Sequence, residues 1–204
     1  MKEGRYIPEA TLEAIARKAI KDYDPSLLIG QPRPIPVDKM IEEQYGLEIE
    51  YQVIRKDGRV LGATVFEDDY VPVFIEEIGK YNLVFFKKGT IILDASLLRC
   101  RDDGRLRFTM AHELAHWLIH KELYSGSGCV ASMVKNIRKS SEADPAVEWQ
   151  ADKLSSCILM PTGILKMAFY RCGGTISDKT AVLAEQFCVS KKAMEIKLKD
   201  HRLI

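Results

Sequence analysis

One short segment combines residue types that bind a metal ion with one that can activate water: His112-Glu113-Leu114-Ala115-His116. Histidines four positions apart on an α-helix lie on the same face, about 6 Å apart along the axis, so both imidazoles can bind one zinc ion. Glu113 can reach the fourth coordination position, take a proton from water and deliver it to a leaving amine. The segment therefore predicts zinc-dependent hydrolysis of a peptide bond.

The two histidines leave the predicted metal site incomplete, because catalytic zinc generally has three protein ligands. Glu148, on the next long predicted helix, is our candidate for the third ligand. Asp152, one turn further on, is expected to accept a hydrogen bond from the outer ring nitrogen of a ligand histidine and so fix its orientation. Glu142 and Asp144 are alternative ligands, ranked lower because they lie in a polar loop.

Four other residues near the motif have weaker claims to a role. His120 is not predicted as a ligand, and we expect it to cap the C-terminal end of the motif helix. Tyr124 and Tyr170 are candidates for stabilising an oxyanion, although ordinary packing is the simpler interpretation of both. Cys129 could approach the zinc and block it, although most single cysteines are inert.

Length and composition are those of a soluble globular protein with one medium-sized domain. The chain has 204 residues, of which 47% are hydrophobic and 29% charged, and its formal net charge is +1. This balance neither favours nor excludes a nucleic-acid partner. No apolar run is long enough to span a membrane, and residues 1–10 do not resemble a secretory signal. The five cysteines include no CxxC pair, which indicates reduced thiols and a cytoplasmic location.

The residue pattern around the motif predicts an α+β fold. A small, mostly antiparallel sheet is expected to pack against the motif helix and a C-terminal helical subdomain. The predicted strands are residues 47–54, 61–66, 71–75, 83–86 and 90–93. The predicted helices are residues 8–23, 37–45, 105–119, 145–160, 161–170, 180–187 and 190–199.

The pattern divides the chain into three predicted parts. Residues 1–35 form an N-terminal helix and a proline-rich connector, which we expect to be extended and exposed. Residues 36–172 form the zinc metallopeptidase domain, which includes a long polar loop at residues 125–146. Residues 173–204 form a C-terminal helical segment.

Within that C-terminal segment, residues 181–194 have the pattern of a helix-turn-helix, with a turn at Val189 and a helix cap at Ser190. Its lysines could meet DNA phosphates: Lys191, Lys192, Lys197 and Lys199. The simpler interpretation is a helical subdomain that packs on the peptidase, because the second helix offers few side chains suited to base recognition. Direct DNA binding is therefore a secondary hypothesis.

Several segments together resemble the ImmA/IrrE family of metallopeptidases, over roughly residues 30 to 200. The most specific match is Arg107-Phe108-Thr109-Met110-Ala111-His112-Glu113-Leu114-Ala115-His116, followed by Glu148-Trp149-Gln150-Ala151-Asp152 and Ile158-Leu159-Met160-Pro161. Upstream, the expected order of pieces is kept by Pro36-Val37-Asp38, Leu61-Gly62-Ala63-Thr64 and Gly89-Thr90-Ile91-Ile92-Leu93-Asp94.

The resemblance implies a zinc peptidase that cuts, or helps to inactivate, a helix-turn-helix repressor of a mobile element or stress response. It places the ligands at His112, His116 and Glu148 and the catalytic base at Glu113. The chain departs from the family at Ala115, where glycine is frequent, and at Asp152, where asparagine is frequent. The role of Asp152 therefore rests on its chemistry more than on the family.

Three hypotheses follow from the sequence. The first is an active zinc endopeptidase whose substrate is a protein regulator. The second is a metal-stabilised binding module that sequesters a regulator or a toxin-like partner without cutting it, but a structural site has no need of the base Glu113. The third is a DNA-binding regulator that uses the C-terminal helices, and the near-neutral net charge makes it the weakest.

Overall fold

Two long helices, α3 (Asp103–Tyr124) and α4 (Pro145–Leu159), pack against each other and carry the predicted site. The computed structural model describes residues 6–99, 103–124 and 144–204. Helix α1 (Glu9–Tyr23) also packs on α4, and the apolar residues of all three helices share one large core. The motif is therefore held on a helix whose buried face is fixed by several neighbours.

Apolar residues form the buried faces of these helices. In α3, Ala111, Leu114 and Ala115 have no solvent exposure, so the inner face of the motif helix is fully packed. Helix α3 is longer than predicted at both ends, and it continues beyond Ile119 to Tyr124, whose ring stacks on that of Phe66. Helix α4 begins after Asp144, whose side chain accepts a hydrogen bond from the backbone N–H of Ala146.

A three-stranded mixed sheet lies next to α3. Its central strand is β5 (Thr90–Asp94), which is buried throughout, as expected of a strand covered on both faces. Strand β1 (Glu48–Gln52) pairs with β5 in parallel, and β2 (Gly62–Thr64) pairs with it in antiparallel orientation. Strand β2 forms the edge of this sheet and contacts α3 directly.

The other two strands form a separate antiparallel hairpin, β3 (Asp69–Ile75) with β4 (Lys80–Phe86), above a small second core. Two of the three strand pairs of the described residues are thus antiparallel, and the predicted α+β class is confirmed. The parallel β1–β5 pair was not foreseen, because strand direction depends on how the chain crosses between the strands and not on the apolar pattern.

The segment between α1 and β1 is less extended than predicted. It contains a 3₁₀ turn, Pro25–Leu28. Ile35, in the proline-rich connector that was predicted to be exposed, is buried. Helix α2 (Val37–Lys39) continues into a π-helical turn, Met40–Gln44, and Gly46 follows with φ +62°. Another 3₁₀ turn, Ala95–Arg99, follows β5.

One arginine links distant parts of the chain to the start of α3. The guanidinium of Arg107 donates through Nη2 to the backbone oxygen of Ile35 at 2.7 Å and through Nε to that of Cys188 at 3.2 Å. Both acceptors are backbone carbonyls outside regular helices and strands, so Arg107 joins two connecting segments to α3. The first residue of the most specific family segment thus helps to position the motif helix.

The C-terminal part comprises α5 (Thr162–Arg171), α6 (Ile176–Phe187) and α7 (Lys191–Asp200). Helix α6 begins earlier than predicted, with a capping box formed by Thr175 and Asp178. Ser190 caps α7 as predicted, by accepting a hydrogen bond from the N–H of Ala193. No helix of the described residues is both long and apolar enough to cross a lipid bilayer.

The lysines proposed as phosphate contacts mostly have other partners, and the prediction for Lys197 is wrong. Lys197 is only 2% exposed, and its Nζ lies 3.2 Å from the thiol sulfur of Cys157 on α4. Lys192 and Lys199 both pair with Glu195 on the same helix. The sequence pattern could not predict the burial of Lys197, because tertiary packing determines which side of α7 faces α4.

The left-handed backbone at Gly46 gives a stability test. Alanine at position 46 would meet no atom within 4 Å, so the strain of the positive φ is the main effect of Gly46→Ala. We expect it to lower the free energy of unfolding by about 1 kcal/mol, measured by urea denaturation. Gly163→Ala, which also has open space but lies in the first turn of α5 without a positive φ, should cause no loss.

Candidate metal centre

Three predicted ligands from two helices converge in the structure. The donor atoms of His112 and His116 on α3 and Glu148 on α4 all lie within 4.8 Å of one another. The two histidine Nε2 atoms are 2.9 Å apart, and Glu148 places one carboxylate oxygen 3.3 Å from His112 Nε2 and the other 3.6 Å from His116 Nε2. Donors about 2.0–2.1 Å from one zinc ion in tetrahedral geometry are about 3.3 Å apart. The donor set and spacing therefore fit a metal ion.

The charges within this cluster stabilise one another. Burial disfavours the charged form of His112, but hydrogen bonds to Asp152 and Glu148 outweigh burial and raise its pKa to about 10. Burial also opposes the charge of Glu148, yet His112 and His116 hold the pKa of its carboxyl well below the usual range. The carboxylate of Glu148 is therefore ionised at any physiological pH, which is the form that binds a cation.

Asp152 lies one turn after Glu148 and faces the other side of the His112 ring. Its Oδ1 is 3.0 Å from His112 Nδ1, so this nitrogen can donate to the carboxylate while Nε2 points to Glu148. A metal-binding imidazole needs such an acceptor to fix which nitrogen carries the proton. Asp152 is therefore placed so that it can orient the ring of His112, and this role stays a prediction.

Glu113 is buried and points towards strand β2. The hydroxyl of Thr64 donates to its Oε2 at 2.7 Å and also lies 3.1 Å from its backbone oxygen. A Cβ atom on Gly62 would lie only 2.6 Å from Glu113 Oε1, so glycine is needed for the carboxylate to sit there. In the sequence, residues 61–64 belong to a predicted strand and to the family pattern, and nothing there connects them with Glu113.

His120 has a different position from the predicted one. It does not cap the helix, because α3 continues to Tyr124. Its ring is 3% exposed, and its Nδ1 lies 2.9 Å from Nδ1 of His116. Burial and the neighbouring His116 lower the pKa of His120 to about 4, while the nearby side chain of Gln150 acts in the opposite direction. His120 is therefore a neutral neighbour of the cluster.

Among the described residues, the other candidates from the sequence lie outside the cluster of donor atoms. Asp144, an alternative ligand in the sequence analysis, serves as the N-cap of α4. Tyr124 stacks on Phe66 with ring centroids 5.0 Å apart, and Tyr170 is 75% exposed on α5. Glu142 and Cys129 lie outside the residues that the structure describes.

The site brings two imidazoles and a carboxylate together beside a buried glutamate. This combination is typical of a metal-dependent hydrolase. The chain belongs to the peptidase M78 family, whose model, described as the IrrE N-terminal-like domain, matches residues 67–199. The resemblance to ImmA/IrrE peptidases stated from the sequence is thereby confirmed. Membership in this family indicates a metallopeptidase, and the cluster of His112, His116 and Glu148 offers it a metal site.

Among solved structures, the fold is similar to a Mycobacterium tuberculosis transcriptional regulator, with a TM-score of 0.50 and 12% sequence identity. The match covers 93% of this chain and 46% of that one, so the chain spans less than half the length of that protein. At this identity the likeness concerns the fold alone. No curated protein sequence matches the chain significantly.

Two acidic residues at the start of α4 can be separated by experiment. Asp144→Ala should lower the free energy of unfolding by about 1 kcal/mol, because the helix cap is lost, and leave metal affinity unchanged. Glu148→Ala should weaken metal binding, measured with zinc, by at least about 100-fold, since it removes a predicted ligand rather than a partner of one. Urea denaturation and competition with a chromogenic chelator measure the two effects. Weaker zinc binding in Asp144→Ala would point to Asp144 as the ligand instead.

Proposed function

We propose that this protein is a zinc-dependent endopeptidase that hydrolyses a peptide bond in a protein regulator. The observation that carries the proposal is the convergence of His112, His116 and Glu148 beside Glu113, in a chain of a peptidase family. We assign catalysis to residues 36–172, with the N-terminal helix and the C-terminal helices as supports. The proposed ligands are the two histidines and Glu148, and Asp152 would orient His112.

Zinc is the metal we propose, because two imidazole nitrogens and one carboxylate are a frequent ligand set of catalytic zinc. When bound, zinc lowers the pKa of water and polarises the carbonyl group of a substrate. The protein contributes the ligand geometry, which α3 fixes through its buried face and α4 through the position of Glu148. Rigid helices hold such a site more precisely than loops do.

We propose that Glu113 transfers a proton from the attacking water to the leaving amine. The Thr64 hydroxyl donates to Oε2, so this oxygen is engaged and Oε1 remains to accept a proton from water. Glu113 then delivers the proton to the leaving amine as the peptide bond breaks. Because Gly62 lies against Oε1, strand β2 limits the positions that the carboxylate can take.

Strand β2 also supports an endopeptidase that takes an extended substrate. Leu61 and Val65 make the backbone hydrogen bonds to β5, to Asp94 and Thr90, so in this alternating pattern the backbone groups of Gly62 and Thr64 face away from β5. No other strand of the described residues pairs with that side of β2. A peptide added there as a further strand would pass beside Glu113.

A helix-turn-helix repressor is the proposed substrate, and this choice rests on the resemblance to ImmA/IrrE peptidases. The alternative of a non-cleaving binding module is less well supported, because the buried bond between Thr64 and Glu113 orients a base that mere binding would not need. Direct DNA binding by α6 and α7 is also less well supported, because Lys197 is buried and both Lys192 and Lys199 pair with Glu195.

The role of Glu113 gives the central test. The zinc-loaded protein, mixed with the helix-turn-helix regulators encoded beside it, should produce defined fragments by intact-mass analysis. Glu113→Gln should slow cleavage by about 10² to 10⁴-fold with zinc still bound, because the amide cannot accept the proton. Glu122→Gln, an exposed glutamate near the end of the same helix, is the matched control and should cut normally.

The outcomes separate the hypotheses. Cleavage by Glu113→Gln at the normal rate would contradict the proposed mechanism. Stable co-elution of a regulator with the zinc-loaded protein, with no fragments, would instead support the binding module.

The contact at Gly62 gives an independent test of how Glu113 is positioned. Gly62→Ala should reduce the rate of cleavage by about 100-fold, because the new methyl group displaces the Glu113 carboxylate by up to about 1 Å. Zinc affinity should not change, since the three atoms nearest to the new Cβ all belong to Glu113 and not to the proposed ligands. Gly163→Ala, with open space around the new methyl group, is the control. Full activity in Gly62→Ala would show that cleavage does not depend on this position of the Glu113 carboxylate.

A further inference from the structure

His116 has a buried partner that the proposed chemistry does not use. His120 follows it by one helical turn on α3, and the two rings have their centroids 5.1 Å apart. Their Nδ1 atoms are 2.9 Å apart, within hydrogen-bonding distance, and both side chains are buried. A buried contact between two ring nitrogens needs a proton on one of them and a lone pair on the other.

The two nitrogens of His116 face different neighbours. Nε2 lies 2.9 Å from Nε2 of His112 and 3.6 Å from Glu148, so it faces the candidate metal position. A nitrogen that binds a metal carries no proton, so a neutral His116 must carry its proton on Nδ1. This proton then points to Nδ1 of His120, which must accept it.

We propose that His120 is a positioning residue, which fixes the tautomer and the ring orientation of His116 by accepting a hydrogen bond from its Nδ1. The inference rests on the proposed metal centre and assigns His120 a role in building it. His120 keeps its own proton on Nε2, a buried atom for which the structure shows no hydrogen-bond partner, although the side chain of Gln150 of α4 is a close neighbour. His120 itself contacts neither the metal position nor a substrate.

The two proposed histidine ligands would thus have acceptors of different kinds. Asp152 serves His112 from a position where its side chain is 57% exposed, and there a carboxylate keeps contact with water. His116 and His120 are both buried, and a carboxylate at position 120 would be expensive to desolvate. A neutral imidazole supplies an acceptor without that charge.

Zinc affinity tests the inference without using cleavage. We expect His120→Phe, which keeps an aromatic ring but has no acceptor, to weaken zinc binding by about 10- to 100-fold in competition with a chromogenic chelator. His120→Asn should restore most of the affinity, because its side-chain oxygen can accept from His116 Nδ1. His201→Asn is the matched control, since His201 contacts Thr162 and not the cluster, and its zinc affinity should be unchanged.

The test distinguishes this inference from the proposed function. A folded His120→Phe that binds zinc as tightly as the unaltered protein would overturn the role of His120 alone. An unaltered protein that binds no zinc would overturn both.

A second measurement needs no variant and so does not depend on folding of His120→Phe. Nitrogen-15 NMR of the zinc-loaded, unaltered protein reports which ring nitrogens carry protons. We expect a proton on Nδ1 of His116 and a bare Nδ1 on His120, with the bond between them visible as a through-bond coupling. A proton on Nδ1 of His120 would overturn the proposal.

Discussion

The packing of α3 against α4 determines where the three donor side chains meet. The histidines need only the helical repeat to share a face, but Glu148 reaches them only because the buried sides of the two helices are in contact. That contact is apolar, and it includes Ala111 and Ala115 on α3 and Ala151 on α4 within one continuous core. Burial of this core holds the helices together, while the charged and polar groups lie at its margin.

The sheet adds a second constraint on the same helix. Strand β2 contacts α3 at Glu113. Gly62, which has no side chain, leaves room for the Glu113 carboxylate, and the hydroxyl of Thr64 holds it there by a hydrogen bond. His120 and Asp152 restrict the two histidine rings from other directions. Each side chain in the proposed centre is thus oriented by a partner from a nearby turn, another helix or a strand, as precise catalytic geometry requires.

The sequence was informative wherever the chemistry depends on local spacing. Four-residue spacing placed His112 and His116 together, and the acidic start of the next long helix indicated Glu148. The surroundings of the Glu113 side chain could not be derived from the sequence, because Thr64 and Gly62 come from a strand about 50 residues earlier. Only the folded chain brings them close. His120 was misjudged because the predicted helix ended at Ile119, whereas the observed helix continues to Tyr124 and so places His120 in its interior.

The same reasoning explains the C-terminal lysines. A helix-turn-helix pattern was visible in the sequence, and Ser190 was identified correctly as a cap because capping is local. The burial of Lys197 follows from the way α7 lies on α4, which no local pattern encodes.

The helix that supplies the third donor contacts both α1 and α7. Lys153 of α4 pairs with Glu9 of α1 and with Asp200 of α7, and Cys157 of α4 receives a hydrogen bond from Lys197. During synthesis, the two histidines leave the ribosome well before α7 does. The contacts that hold α4 in place are therefore complete only once α7 has been synthesised, so a chain truncated before α7 would lack part of the support of the proposed metal centre.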